Sequence, residues 1–123
     1  MAEIKVDAKK NVYVVPGGWK NMFDKASKLT LSPGTYDIRI KSGLFSFWNS
    51  GPQEEPMVFL LINGSFRNSK TGIPTTQTWM TLNGLADQFV LEVTGNTTIY
   101  ALFIDINPED NRGVVTLSCS MVA

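Results

Sequence analysis

The chain has 123 residues, of which 43% are hydrophobic and 18% charged, with eleven basic and eleven acidic side chains. These proportions fit one globular domain with a real core and argue against a disordered chain. The lack of histidine excludes Ser–His nucleophile pairs, imidazole acid–base catalysis and His-containing zinc sites. No apolar run reaches the ~20 residues of a membrane span.

The distribution of charge and the lack of a signal-like segment bear on which partners and which location we expect. Residues 1–41 carry eight basic and four acidic side chains, and residues 42–123 carry three and seven, for net charges of +4 and −4. This is either scattered surface charge or a pair of opposite patches that meet between copies or at a partner. Neither half is basic enough to suggest nucleic acid. With no signal-length apolar segment, we expect a cytoplasmic protein or one released without a signal peptide.

The first 28 residues predict short strands and one helical segment. Apolar and polar residues alternate over residues 4–14, with a break at Ala8–Asn11, which indicates one or two strands. Trp19–Lys28 has apolar residues at helical spacing and fits either a helix or a loop pinned by its aromatics. We treat residues 1–28 as a possible N-terminal strand and interface segment.

The middle of the chain reads as strands separated by turns. Pro33-Gly34 fits the central positions of a type II turn. Residues 35–41 alternate cleanly, which predicts a strand with one wet face. Met57–Ile62 is continuously apolar and ends at the hairpin signal Asn63-Gly64. The apolar side of the alternating strand is formed by Tyr36, Ile38 and Ile40, and the polar side by Asp37, Arg39 and Lys41.

The last third predicts a hairpin and a central strand. Gln88–Thr94 and Thr97–Ile106 are strand-like, and Gly95-Asn96 between them is a two-residue turn signal. Such a turn would pair residues whose numbers sum to 191. Ile99–Ile104 is apolar on both faces, so we expect a strand covered from both sides. Alternation in the final strand predicts that Cys119, the only cysteine, is buried.

These patterns predict the fold class and exclude most catalysis. Eight or nine short strands separated by turn signals indicate an all-β chain, with residues 1–123 forming a single antiparallel β-sandwich of the jelly-roll type. Glu54-Glu55 and Glu109-Asp110 could be nominated as glycosidase acids. Adjacent carboxylates are more often exposed loop acids, so we expect a binding protein and not an enzyme.

The loop that follows the predicted central strand is dense in hard oxygen ligands, which suit calcium. It lacks the glycine turn of an EF-hand, and Asn, Asp and Pro are also what ordinary turns contain. A calcium site and a plain polar turn therefore both fit the sequence. The oxygen-bearing residues are Asp105, Asn107, Glu109, Asp110 and Asn111.

Around this loop the sequence resembles the galactophilic bacterial lectins of the PA-IL type. Leu102-Phe-Ile-Asp105, Pro108, Asp110-Asn111 and Gly113-Val-Val-Thr-Leu117 follow the order of that family's calcium loop. The turn Leu31-Ser-Pro-Gly34 and the segment Gly43-Leu-Phe-Ser-Phe47 are similar to further family segments. The family's mid-loop Thr ligand and sugar-contacting His have no counterpart here, and the chain before the Pro-Gly turn is longer.

The resemblance implies a small jelly-roll lectin that binds sugar through calcium at the end of the sandwich. It implies Asp105, Asp110 and Asn111 as calcium ligands, with a backbone carbonyl near Phe47. Trp19, Trp48 and Trp79 are either core residues or flat apolar surfaces for a sugar or a protein partner. Trp48 is the best placed of them, and the expected ligand-binding residues are Trp48, Asn49, Gln53 and Asn107.

A structural assembly subunit, such as a phage or virus decoration or tail protein, is the alternative interpretation. The oppositely charged halves suit a symmetric homo-oligomer in which one copy faces the next. In that case the protein would belong to a virion. Its interface would be formed by Glu3–Val15 and Trp19–Lys28, which the lectin resemblance leaves unmatched.

Overall fold

A computed structural model describes residues 2–14, 19–46, 56–105 and 111–122. Within these ranges the chain is all-β apart from one short helix, which confirms the predicted fold class. The jelly-roll connectivity stays a prediction. The elements are β1 (Ala2–Asp7), β2 (Val12–Val14), α1 (Trp19–Lys25), β3 (Ser27–Leu31), β4 (Gly34–Ser46), β5 (Met57–Asn68), β6 (Pro74–Asn83), β7 (Gln88–Asp105) and β8 (Arg112–Met121).

The strands form one sheet in the order β1-β8-β4-β7-β5-β6. Its central strand is β7, which is 18 residues long. The first half of β7 pairs with β4 and the second half with β3, so β3 and β4 lie end to end along the same side of β7. All these pairings are antiparallel, and β2 alone among the described strands pairs with β7 in parallel.

The two predicted hairpins are wrong. Strand β7 runs unbroken through Gly95-Asn96, and β5 runs through Asn63-Gly64 to Asn68. The pairs that sum to 191 do not form, and Leu91 lies opposite Tyr36 and Asn68 instead. The Pro33 break likewise joins two collinear strands and does not reverse the chain. The turn signals therefore mark bends within long strands.

The bends at Pro33, Gly64 and Gly95 lie side by side on adjacent strands. We call the line that they form across the sheet the crease. The register between β5 and β7 shifts there, around Ser65 and Gly95. The fully buried Thr97 hydroxyl lies 3.2 Å from the Ser65 N–H and 2.9 Å from the Gly95 carbonyl, so a side chain replaces part of the ladder. A Cβ on Gly64 would lie 2.5 Å from the Asn96 carbonyl oxygen. Only glycine allows the two backbones to come this close.

The crease folds the sheet over one hydrophobic core. Side chains from both sides of the crease belong to the same buried cluster, and the Phe45 and Phe103 rings stack with centroids 4.4 Å apart. Asp87 connects the two sides of the crease. Its carboxylate accepts the Asn83 N–H at 3.0 Å and contacts the Lys70 ammonium at 3.1 Å. Long strands that bend in this way give a sandwich-like core from a single sheet.

Helix α1 covers the outer face of the second half of β7. Met22 and Ala26 are buried against Leu102, which is itself fully buried, and the edge of Phe23 packs on Tyr100. The prediction that Ile99–Ile104 is covered on both faces is confirmed. The alternative of a loop for Trp19–Lys28 is excluded by the helix over Trp19–Lys25.

Over residues 35–41 the outer face of β4 is polar, as predicted. Tyr36, Ile38 and Ile40 are buried, whereas Arg39 lies outside and pairs with Asp37. The remaining ion pairs described on the protein are Lys41–Glu3, Arg67–Glu92 and Lys70–Asp87. Cys119 is buried, also as predicted. Burial, with a smaller contribution from the nearby charge of Asp37, raises the pKa of its thiol to about 12.

Candidate functional site

The predicted calcium and sugar site falls mainly on segments outside the described residues. Asp105 is the last residue of β7, where its backbone pairs with that of Val14. Asn111 immediately precedes β8 and is described in full. The remaining predicted ligand-binding and metal residues, together with the Phe47 carbonyl, lie outside the described residues: Trp48, Asn49, Gln53, Asn107 and Asp110.

The strands that carry these segments nevertheless end close together. Strand β4 ends at Ser46, which lies opposite Arg112 at the start of β8. One residue earlier, Phe45 stacks on Phe103, two residues before the end of β7. Strands β4 and β7 therefore end, and β8 begins, at the same end of the core. We call this end, defined by Ser46, Asp105 and Asn111, the loop end.

The turn Ala8–Asn11 connects the elements at the loop end, whereas the sequence predicted only a break between strands there. The Asn11 carbonyl accepts the Phe103 N–H at 2.8 Å, and the Asn11 Nδ2 donates to the Lys25 carbonyl at 2.9 Å. The Ala8 N–H donates to Gly113. The turn thus joins β8, β7 and the C-terminus of α1. Asp7 and Asn11 form a turn signal that could have identified it.

Asn111 is the one predicted ligand whose side chain is described. It is fully buried, and its Nδ2 donates to the Ala8 carbonyl at 2.8 Å. Its Oδ1 is also buried and accepts no hydrogen bond within the described structure. A buried acceptor without a donor costs about 1–3 kcal/mol. An amide oxygen in this state is suited to a cation, because calcium takes Asn carbonyl oxygens among its six to eight ligands.

A second polar site lies on the outer face beside the crease. A cleft of about 340 Å³ is lined by hydroxyl groups and by the Arg67–Glu92 ion pair, and a neighbouring cleft of about 250 Å³ shares that pair. Its polar groups already satisfy one another, since Ser65 Oγ lies 2.8 Å from Thr94 Oγ1 and Arg67 binds Glu92. The cleft therefore offers a ligand no unpaired buried group comparable to Asn111.

The described ranges hold neither a metal-binding cluster of acidic, Cys or His side chains nor a membrane-spanning helix. No cluster of three or more His, Cys, Asp and Glu side chains is positioned to hold a metal ion there. In the same ranges no helix has the length and apolar character needed to cross a bilayer. Of the three tryptophans, Trp79 lies on β6 with 43% of its surface exposed, and Trp19 begins α1.

Comparison with known proteins gives no relative to guide interpretation. No family model, no curated protein and no solved structure matches the chain. Any function must therefore be argued from the chemistry of the chain itself.

Proposed function

We propose that the protein is a carbohydrate-binding, lectin-like module that holds its ligand at the loop end with the help of calcium. Asp105, Asp110 and Asn111 are the proposed calcium ligands. Trp48, Asn49, Gln53 and Asn107 are the proposed sugar contacts. Bound calcium would supply a divalent charge that coordinates sugar hydroxyls, while the tryptophan would offer an apolar face to the ring.

The observation that carries this proposal is the buried Oδ1 of Asn111. Two features fix the position of this side chain. Its Nδ2 donates a hydrogen bond to the Ala8 carbonyl, and its backbone lies directly before β8. The carbonyl group is thus oriented before any ligand arrives. Asp105 ends β7, the strand from which the acidic loop begins. An ordinary polar turn would leave its amide in water, not buried at the end of the core.

Calcium binding can be tested by thermal unfolding. A ligand of the native state at about one hundred times its Kd stabilises by about 2.7 kcal/mol. We expect millimolar calcium to raise the Tm of the wild type and to leave that of Asn111→Ala unchanged. The matched control is Asn68→Ala, because Asn68 is also buried but its Oδ1 accepts the Lys70 N–H at 2.9 Å. That variant should lose stability yet keep its response to calcium.

If calcium does not raise the Tm of the wild type, the metal-dependent form of the proposal is wrong. If calcium still raises the Tm of Asn111→Ala, the metal binds at another place. Sugar binding without calcium would remain measurable separately, by glycan-array binding in EDTA. The two parts of the proposal can thus fail independently.

Structural assembly, as in a virus or phage decoration or tail protein, is the second candidate function. The observation that favours it is the edge strand β6, which carries the exposed Trp79. The N-terminal segment predicted as the interface also packs within the chain, and its role as an interface stays a prediction. All six residues of β1 pair with β8, and Met22 of α1 is buried. Point substitutions on β6 therefore test assembly better than deletion of residues 1–28.

A further inference from the structure

The Ala8 carbonyl that binds Asn111 belongs to a peptide unit that is also held at its opposite edge. The Asn111 Nδ2 donates to this carbonyl at 2.8 Å, and the Lys9 N–H of the same peptide unit donates to the Asp7 Oδ1 at 2.8 Å. A trans peptide unit is planar, so its C=O and N–H point in opposite directions and rotate together. The Asp7 carboxylate therefore fixes the direction in which the carbonyl meets Asn111.

The Asp7 residue is in turn held through both its side chain and its backbone. Its Oδ1 accepts a second hydrogen bond, from the Lys10 N–H at 3.1 Å. Its own N–H donates to the Asn11 Oδ1 at 2.8 Å, and its carbonyl accepts the Asn11 N–H at 2.8 Å. Hydrogen bonds from backbone N–H groups to an ionised carboxylate are roughly twice as strong as neutral ones. The carboxylate is therefore a fixed support for the peptide unit between Ala8 and Lys9.

The side-chain amide of Asn111 transmits this orientation to its oxygen. The amide group is planar, so a hydrogen bond that fixes Nδ2 also fixes the direction of Oδ1. That Oδ1 is the buried acceptor without a hydrogen bond in the described structure. Residues that orient a metal ligand from behind typically change metal affinity by about 10–100-fold when they are replaced. The contacts behind Asn111 should therefore matter for a cation bound in front of it.

From this chain of contacts we propose that Asp7 is a positioning residue for the cation site at the loop end. It sets the affinity for calcium through the Ala8–Lys9 peptide unit and Asn111, and its role is orientation, since its Oδ1 already accepts two backbone N–H groups. The inference rests on the proposed calcium site. It adds that the N-terminal strand β1, far from the acidic loop in sequence, supplies part of that site.

Calorimetric titration with calcium chloride of two Asp7 variants separates orientation from charge. Asp7→Ala removes the charge and the hydrogen-bond acceptor, whereas Asp7→Asn removes the charge but keeps an oxygen that can accept the Lys9 N–H. We expect the Kd for calcium to rise about 10–100-fold in Asp7→Ala and to stay within about threefold of wild type in Asp7→Asn. Each protein is titrated at a temperature at which circular dichroism shows it folded.

The matched control for lost stability is Asn68→Ala, which removes a buried amide whose hydrogen bonds involve Lys70 and Met80. This variant should bind calcium with the wild-type Kd. An unchanged Kd in Asp7→Ala would overturn the positioning role. Equal increases in Asp7→Ala and Asp7→Asn would overturn it too, because charge alone would then explain the effect.

A double-mutant cycle in EDTA tests the same chain of contacts without any metal. Stability losses add for distant residues and fail to add for residues in one hydrogen-bond network. In urea unfolding, the combined loss for Asp7→Ala with Asn111→Ala should differ from the sum of the single losses. The combined loss for Asp7→Ala with Asn68→Ala should equal its sum. Additive losses in the first pair would mean that Asp7 does not position Asn111.

The two experiments together distinguish this inference from the proposed function. If the wild type binds no calcium, the proposed metal site is wrong and the claim about affinity is overturned with it. If the wild type binds calcium and Asp7→Ala has the same Kd, the metal site stands and only the positioning role of Asp7 is wrong.

Discussion

The aromatic rings of Phe45 and Phe103 are stacked, with centroids 4.4 Å apart and planes inclined by 26°. They belong to β4 and β7, which run antiparallel, and each ring lies near the C-terminus of its strand. In a flat sheet these two ends would point in opposite directions. They meet because the long strands bend at the crease, and this bend brings the C-terminal ends of β4 and β7 together.

The crease depends on the close approach of two backbones at Gly64. We expect Gly64→Ala to destabilise the protein by roughly 2–5 kcal/mol, because the new methyl group would meet backbone atoms of Asn96 and Thr97 at 2.5 Å. Gly95→Ala is the matched control, since its nearest contact would be the Ser65 Cβ at 3.2 Å. Urea unfolding should show a loss below about 1 kcal/mol for the control. Equal losses would contradict the account of the crease.

The core beneath helix α1 gives a second prediction. Leu102→Ala should cost on the order of 2–5 kcal/mol, because Leu102 of β7 is fully buried against Met22 of the helix and Ala26 directly after it. Arg39→Ala should cost less than about 1 kcal/mol, since its ion pair with Asp37 lies on the polar face. Chemical denaturation of both variants checks the contrast. A small loss for Leu102→Ala would mean that the helix does not cover this strand.

Much of this architecture could be predicted from the sequence. Alternation identified the buried side of Tyr36, Ile38 and Ile40, and the two-sided apolar run identified Ile99–Ile104 as a covered strand. The direction of the chain at Gly64 and Gly95 could not be predicted. Glycine permits both a tight turn and a bend with close backbone contact, and only contacts between distant strands decide which of the two forms.

The candidate site was predictable only in part. Acidic and amide residues after a central strand suggested a calcium loop, and the strand ends do bring Asp105 and Asn111 to the same end of the core. The role of the Ala8–Asn11 turn was not foreseen. Its hydrogen bond to Asn111 joins residues 103 positions apart, and no local pattern carries that information.

The thiol of Cys119 should be chemically inert in the folded protein. Burial, with a smaller contribution from the charge of Asp37, raises its pKa to about 12, and the thiolate is the reactive form. At pH 8 a maleimide reagent should label the native protein far more slowly than the unfolded protein. Mass spectrometry after timed labelling measures the ratio. Labelling at equal rates would contradict the burial of Cys119.

The carboxylate of Asp87 should make stability depend on acidity. The hydrogen bond from the Asn83 backbone, opposed by desolvation and aided by Lys70, lowers the pKa of Asp87 below its ordinary value. The folded state therefore prefers the charged form. This contribution is present above the unfolded pKa and is lost as pH falls through the lowered folded pKa.

We expect Asp87→Asn to reduce stability at pH 7 by about 0.5–1.5 kcal/mol. The difference from wild type should shrink as pH falls below the ordinary carboxyl pKa of 3.8 and be lost once the pH lies below the lowered folded pKa. Thermal unfolding of the two proteins across this range checks the prediction. Asp24→Asn is a suitable control, because Asp24 is exposed on α1. A difference for Asp87→Asn that does not vary with pH would contradict the charge argument.

The most direct measurement of the proposed function is glycan-array binding of the wild type and of Asp105→Ala, each with calcium and with EDTA. The proposal predicts wild-type binding to a defined set of glycans in calcium, and loss of that binding in EDTA and in the variant. Asp37→Asn, which alters a carboxylate on the polar face of the sheet, should bind like the wild type. Glycan binding that is equal in all these conditions, or absent from the wild type in calcium, would contradict it.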